Sequence, residues 1–382
     1  MTRLNGVAAL LLAAASGVCG EDPANNPDGS LSGLSLEELT NLTVSSVSRR
    51  EQQLSRVAAA AYIITEEEIR RSGLTSIPAL LRRVPGLTVA RLDANKWVVG
   101  SRGFNGRFNN KMLVLIDGRS VYNNEYSGVY WDQNDVMIED VERIEVIRGP
   151  GATMGGANAV NGVINIITKK AKATRGGLMT ARAGGDERGA GALRYGAGDG
   201  ERLNYRGYVK YFDRWSLLAA DGSSANDGGR ALRAGGRLDW QSGPRDLFSF
   251  SGDGYRGRSS QSVNETFQTP LATMINDTAR FSGGFAMGRW ERTLKASDIA
   301  IQTYYNDERR SEWVASGVMR TLDFDFQQHF NWKDRHDVIW GAGYRWMHDR
   351  LSGSPPPFDP SSRTDHLFSA FLQDDISLAP DR

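Results

Sequence analysis

The sequence predicts an α+β domain followed by an antiparallel transmembrane β-barrel that is incomplete in this chain. Three observations carry this expectation. The N-terminus has the three-part pattern of an export signal. Residues 51–172 mix helix and strand signals within one compact stretch. From about residue 175 the apolar residues fall at every second position.

The chain has 382 residues, a formal net charge of +1, 24% charged residues and a mean hydropathy of −0.43. That length allows two to three domains. The balanced charge argues against a dedicated nucleic-acid binder, which carries a basic excess. Its 43 glycines suit many turns and close-packed strands better than a helical bundle.

Arg3 supplies a positive start, Val7 to Ala15 an apolar core, and Val18-Cys19-Gly20 small residues for cleavage before Glu21. Residues 1–20 are therefore expected to be a signal peptide, with a buried helix start as the alternative. The apolar run is too short for a membrane-spanning helix, which needs about 20 residues. Cys19 is the sole cysteine. A lipidated Cys19 is a further reading, though Ser16-Gly17-Val18 is a poor lead-in. Cleavage after Gly20 would leave no thiol for disulfides or metal sites.

Residues 21–50 read as a linker, polar up to Ser35. Leu36 to Leu42 fits one or two helical turns. Thr43-Val44-Ser45-Ser46-Val47-Ser48 is β-prone. It suits either an ordinary linker strand or a mobile segment that adds to another protein's sheet edge.

In the α+β domain, Ala60 to Ile64 reads as a strand. Thr65 and Glu68 form a capping box for a helix that runs to Ser72 and stops at Gly73. A second helix starts at Thr75 or Ser76, shows Ile77, Leu80, Leu81 and Val84 on one face, and ends at Pro85-Gly86. Lys111 to Ile116, Asp117-Gly118 and Arg119 to Tyr122 make a hairpin signal, because Asp-Gly accepts the positive φ of a type I′ turn. Val141 to Arg148 and Gly162 to Lys169 are two further strands.

Beyond residue 175, Leu203 to Tyr211 places its apolar residues at odd positions and Asn204, Arg206 and Lys210 between them. Leu232 to Trp240, 281–289, 297–305, 322–332, 338–346 and 366–378 follow the same rule. A period of two puts one set on each face of a strand. Segments of about ten residues, apolar on one face and polar on the other, are the signature of a membrane barrel. Seven of the nine tryptophans lie in this part, as suits strand ends at a lipid–water interface. A soluble β-sandwich also alternates, but it would have to bury one face against a second sheet. Roughly 210 residues follow position 174. A plugged barrel of about 22 strands needs about 220 before any loop is counted. With about ten strand candidates, residues 175–382 are expected to be part of a barrel, and the chain a fragment or a truncated gene product.

Helix, glycine, helix at 66–84 superficially looks like a helix-turn-helix, but export and balanced charge oppose DNA binding. Enzyme chemistry finds no support. His329, His336, His348 and His366 fall singly, without metal-ligand spacing, and no Gly-x-Ser-x-Gly elbow appears. Gly149 to Gly156 is a turn motif and not a phosphate loop, since no Gly-Lys-Ser/Thr follows.

Six stretches resemble, in order, the plug domain of TonB-dependent outer-membrane receptors. They are Tyr62-Ile-Ile-Thr65, Leu80 to Leu87, Ser101-Arg-Gly-Phe104, Met112 to Arg119, Val141 to Pro150 and Ala159 to Thr168. The branch is similar to the colicin I, enterobactin and cobalamin receptors. The resemblance implies a plug (51–172) seated in a barrel, no catalysis, no cofactor and no resident metal. It implies uptake of a small-molecule ligand, a metal chelate such as a siderophore or haem, or a vitamin such as cobalamin. It also implies outer-membrane lipid around the barrel and energy from TonB with ExbB and ExbD. Leu42, Thr43, Val44, Ser45, Ser46, Val47 and Ser48 are the expected TonB-contacting segment, although Thr-Val-Ser-Ser-Val departs from the usual Thr-Val-Thr/Ser-Ala. Arg102 and Arg148 match plug arginines that pair with barrel glutamates; a solvated surface arginine is the plainer reading of each. Arg107, Asn109, Tyr126, Tyr130 and Trp131 fall in the expected ligand-facing loops, where structural roles are equally open. The competing expectation is a non-transporting surface or signalling protein, or an inert truncated receptor. The span from Glu21 to Leu42 is too short for the extra domain that transducers carry.

Overall fold

A computed structural model describes residues 43–44, 52–53, 60–149, 159–265, 273–333, 335–353 and 357–377. The expected signal, Cys19 and the turns at 36–42 lie outside these residues. So do Leu42 and Ser45 to Ser48 of the expected TonB-contacting segment. Its Thr43–Val44 is strand β1, paired antiparallel with β2 (Gln52–Gln53).

The first body is the α+β domain. β3 (Ala60–Thr65) leads into α1 (Glu66–Ser72), and the capping box forms as expected: Glu68 N–H donates to Thr65 Oγ1 and Thr65 N–H to the Glu68 carboxylate. Gly73 ends α1 at φ 64°, a left-handed value that costs other residues a steric clash. α2 (Ile77–Leu81) is shorter than the sequence suggests. Val84 precedes Pro85, whose ring disfavours helical backbone at the residue before it. Val84 leaves the helix but stays buried with Ile77, Leu80 and Leu81.

A hairpin follows that the sequence reading did not single out, β4 (Leu87–Arg91) with β5 (Trp97–Ser101). Its turn is tied by Asp93 Oδ1, which accepts from Asn95 N–H at 2.8 Å and Lys96 N–H at 2.6 Å. β6 (Met112–Ile116) and β7 (Arg119–Ser120) flank Asp117 and Gly118 at φ 50° and 81°, as a type I′ turn requires. β8 (Val141–Arg148) and β9 (Gly162–Thr168) complete a sheet ordered β3-β8-β9-β6-β7. Only β6 and β9 run parallel. Ile64, Ile144, Val146, Ile164 and Ile166 from these strands pack on Ile69, Leu80 and Leu81 as one core.

The second body is a ten-stranded antiparallel meander. It runs β10 (Gly176–Arg182), β11 (Glu187–Gly198), β12 (Leu203–Arg214), β13 (Gly229–Gly243), β14 (Asp246–Glu265), β15 (Thr273–Thr293), β16 (Ser297–Ser311), β17 (Ala315–Trp332), β18 (His336–Gly353) and β19 (Ser362–Ile376). Among the described residues β10 and β19 pair only with β11 and β18, so the wall is open. Connections at one end are short (199–202, 244–245, 294–296, 333–335). At the other they reach 215–228 and 354–361. The alternation sorts as the sequence indicates. In β12, Leu203, Tyr205, Val209 and Tyr211 face outward and exposed, while Asn204, Arg206 and Phe212 are buried on the inner face. Trp240, Phe248 and Trp290 stack across β13, β14 and β15 near the short-connection end, with centroids 5.4 and 6.3 Å apart. They form one arc of an aromatic girdle.

Candidate functional site: the seam between the first domain and the strand wall

The loop 121–137 after β7 and a short 3-10 turn (Ile138–Asp140) carry a run of acids. The inner face of the wall answers with bases. Asp132 Oδ2 accepts from Arg310 at 3.0 Å. Asp135 meets the Lys210 ammonium at 2.6 Å. Asp140 lies between Arg194 and Arg206, the latter at 3.1 Å. Asp132, Arg310, Asp140 and Arg206 are buried, Asp135, Lys210 and Arg194 nearly so; in a buried pair, removing one charge leaves the other without solvent or partner. Burial works against ionisation of Asp135, but Lys210 and its hydrogen bond outweigh that and hold the carboxyl below its ordinary value.

Arg310, at the end of β16, is the most heavily engaged of these bases. Its side chain is 2% exposed. It donates to Asp132 and to Gln133 Oε1 at 3.1 Å, pairs with Glu312, and lies 4.1 Å from the centroid of the Tyr130 ring. Glu312 also accepts from Gln261 at 3.1 Å and sits 3.6 Å from Arg107. Backbone contacts close other parts of the seam. Ala94 N–H donates to Asp227 at 2.9 Å, Ala171 N–H to Asp239 at 2.7 Å, and Arg233 to the Gln133 carbonyl.

The expected ligand-facing residues converge at the long-connection end, beside the 312–314 turn. Arg107 stacks its guanidinium 5.0 Å from the Phe108 ring, which meets Tyr126 edge-on at 5.0 Å. Tyr126 meets Tyr130 at 4.9 Å, and Tyr130 Oη donates to Glu125 at 2.9 Å. Burial raises the Glu125 carboxyl pKa and that of the Tyr130 phenol, where the Glu125 charge adds to it. Phe104 and Phe108 stand 55% and 54% exposed beside them. Two of the expected residues turn inward. Asn109 donates to the Val99 carbonyl at 2.6 Å and accepts from Lys111 N–H at 3.0 Å, which fixes its loop. Trp131 packs on the domain core.

Arg102 is exposed at φ 56°. Arg148 donates to the Pro85 carbonyl at 2.9 Å. Among the described residues neither has a carboxylate within ion-pair distance, so the geometry does not test their expected barrel partners. Asp132, Asp135, Asp140 and their wall bases were not singled out from sequence. The signal available was the acid-rich stretch 132–140 set against Arg194, Arg206, Lys210, Arg233 and Arg310 at inward positions. Among the described residues no group of three or more His, Cys, Asp or Glu side chains could hold a metal.

Residues 53–163 match the family model described as TonB-dependent Receptor Plug Domain. The chain is 35% identical to the vitamin B12 transporter BtuB of Vibrio vulnificus over 153 residues, which cover 39% of this chain and 24% of the relative. It is 29% identical to BtuB of Vibrio cholerae over 333 residues, 76% of this chain and 50% of the relative. The chain thus spans about half the length, or less, of these curated relatives. Among solved structures, the siderophore receptor PirA of Pseudomonas aeruginosa superposes with a TM-score of 0.62 at 22% identity, covering 85% of this chain and 54% of that one. FpvA of P. aeruginosa, bound to a ferric pyoverdine, superposes with a TM-score of 0.68 at 13% identity, covering 89% and 52%. At these identities the structural likeness establishes the fold.

Proposed function

The chain belongs to the TonB-dependent receptor family, and from that premise we propose that it acts in the outer membrane in energy-coupled uptake of a metal chelate (a siderophore or haem) or of a vitamin such as cobalamin. On this reading residues 1–20 direct export, 21–50 form the linker, 51–172 the plug, and 175–382 the part of the barrel wall in this chain. The long-connection end faces outward and the short-connection end the periplasm.

The observation that carries the proposal is the buried ionic seam of Asp132, Asp135 and Asp140 with Arg310, Lys210, Arg194 and Arg206. A domain clamped against the inner wall obstructs passive flow, so passage needs work on the plug. TonB, with ExbB and ExbD, would supply that work through Leu42 to Ser48, because strand addition uses backbone hydrogen bonds and tolerates sequence variation. Arg107, Tyr126 and Tyr130 at the outward end would meet the ligand, with Asn109 and Trp131 holding their loops. Arg102 and Arg148 would pair with wall glutamates elsewhere in the assembled receptor.

The proposal is tested by growth of deletion and parent strains on single iron or cobalamin sources. A deletion strain that fails on one source identifies the nutrient. Equal growth on every source rules out uptake.

A further inference from the structure

The outward face of the wall carries a cluster of arginines that the uptake reading does not use. Arg230, Arg258 and Arg280 lie directly opposite one another on β13, β14 and β15. All three are exposed. Each shares strand parity with outward-facing residues: Arg230 with Leu232 and Trp240, Arg258 with Phe250 and Phe248, Arg280 with Trp290. Like charges directly opposite on neighbouring strands destabilise a sheet. Among the described residues no carboxylate lies within ion-pair distance of these three, nor of Arg256 and Arg350, which are also exposed. Two acids share this part of the face: Asp213, directly opposite Arg230 on β12, is held by Arg188 at 3.5 Å, and Asp307 by Arg309 and Arg320 at 3.0 and 3.1 Å.

The height of the cluster is informative. Along each strand roughly ten residues separate it from the Trp240–Phe248–Trp290 girdle, or about 26 Å at the usual strand rise and barrel tilt. That matches the ~25 Å apolar band of an outer-membrane barrel. The arginines therefore stand where the hydrocarbon ends on the long-connection side. The opposite rim is different, since Arg292 there pairs with Asp246 at 3.8 Å.

We propose that Arg230, Arg258 and Arg280, with Arg256 one outward position along β14, bind the phosphate of a membrane-anchored lipid headgroup in the leaflet around the long-connection end. Guanidinium forks match phosphate oxygens two at a time, and an anion between them relieves the repulsion the sheet otherwise carries. The inference rests on the transmembrane placement of β10 to β19.

The test reconstitutes the full chain in phosphatidylcholine vesicles containing a minor fraction of phosphatidic acid. Lipids that remain bound after detergent exchange are counted by native mass spectrometry. The wild type should enrich phosphatidic acid over phosphatidylcholine by at least about tenfold, given the attraction of each basic residue for an anionic surface. R230Q/R258Q/R280Q should lose that enrichment, and R292Q at the opposite rim should keep it. R258Q alone replaces the triple variant if the latter does not insert. Equal enrichment in wild type and glutamine variants overturns the proposal. So does an equal loss in R292Q, or displacement of the lipid by millimolar inorganic phosphate. Failure of the wild type to enter the vesicles would instead defeat the membrane placement itself.

Discussion

Asp132 of the plug and Arg310 of the wall are 178 positions apart in sequence and share a 3.0 Å hydrogen bond in a buried setting. Tyr130 lies under the same guanidinium, and Glu312 takes its Nε side. One side chain thus holds a plug loop, a wall strand and an outer turn together.

Arg310→Met should therefore loosen the plug strongly. It leaves Asp132 buried without its cation, a change of about 3–5 kcal/mol for buried pairs, and leaves Glu312 with Arg107 alone. Asp132→Asn together with Arg310→Met should recover part of the loss, since the orphaned charge at 132 goes with it. Urea titration followed by tryptophan fluorescence reads both. A single variant as stable as the parent would show that the pair does not hold the plug.

The wall was legible in the sequence because each strand reports its own two faces. Tyr205 and Arg206 declare opposite sides without knowledge of any partner. The capping box at Thr65 and Glu68 was legible for the same local reason. The seam was not, since which acid meets which base depends on how two bodies dock across separations from 54 to 178 residues. The β4–β5 hairpin was passed over because the Asp93 side chain, and no Asn-Gly or Asp-Gly pair, makes its turn. The early end of α2 reflects a last turn that tightens to i→i−3 bonds, with Arg83 N–H donating to the Leu80 carbonyl and Val84 N–H to that of Leu81, ahead of Pro85.

Two plug carboxyls should respond to pH in opposite senses. Glu125 has its pKa raised by burial, so its contribution is fully present below the unfolded value, ~4.3, and is lost as pH rises through the folded value. Asp135 is held low, burial being outweighed by Lys210. Its contribution is present above about 3.9 and is lost as pH falls through the folded value. Hydrogen exchange of residues 121–137 should therefore speed up near Glu125 as pH rises from the acid range, after correction for the intrinsic rate. Glu125→Gln should flatten that rise and leave the acid-side loss at Asp135. A profile identical in parent and variant would remove Glu125 as its source.

Thr65→Ala should destabilise α1 by about 1 kcal/mol, the usual loss when a side-chain N-cap is removed. The Thr65 hydroxyl oxygen accepts from Glu68 N–H, and the Glu68 carboxylate answers at Thr65 N–H. Thr65→Ser should keep both bonds and most of the stability. Exchange protection of the Glu68 amide separates the two variants, and equal protection would mean that packing of Ile69 alone holds the helix.

Val44→Pro tests the coupling segment. β1 is only two residues long and pairs with Gln52–Gln53, and proline removes a backbone donor from any strand it enters. On the proposed function, nutrient uptake should fall to the level of the deletion strain while surface binding of the nutrient stays at the parental level. Unchanged uptake would move the coupling segment away from Thr43–Val44.

The wall's outer face gives the most direct check on lipid contact. Phe250 is 49% exposed on β14, one outward position above Phe248 of the girdle. In water an exposed phenylalanine could become arginine at little cost. Facing hydrocarbon, the same change should cost about 2–4 kcal/mol near the midplane and less toward either interface. Phe250→Arg, one outward position inside the girdle, should therefore reduce insertion into phosphatidylcholine bilayers more than Trp332→Arg, which lies outside the girdle beside the 333–335 connection at the rim. The comparison is internal, since both residues are aromatic, outward and about half exposed. Equal insertion of the two variants would mean that depth along the strand has no energetic meaning, and that the apolar outer face meets something other than a bilayer.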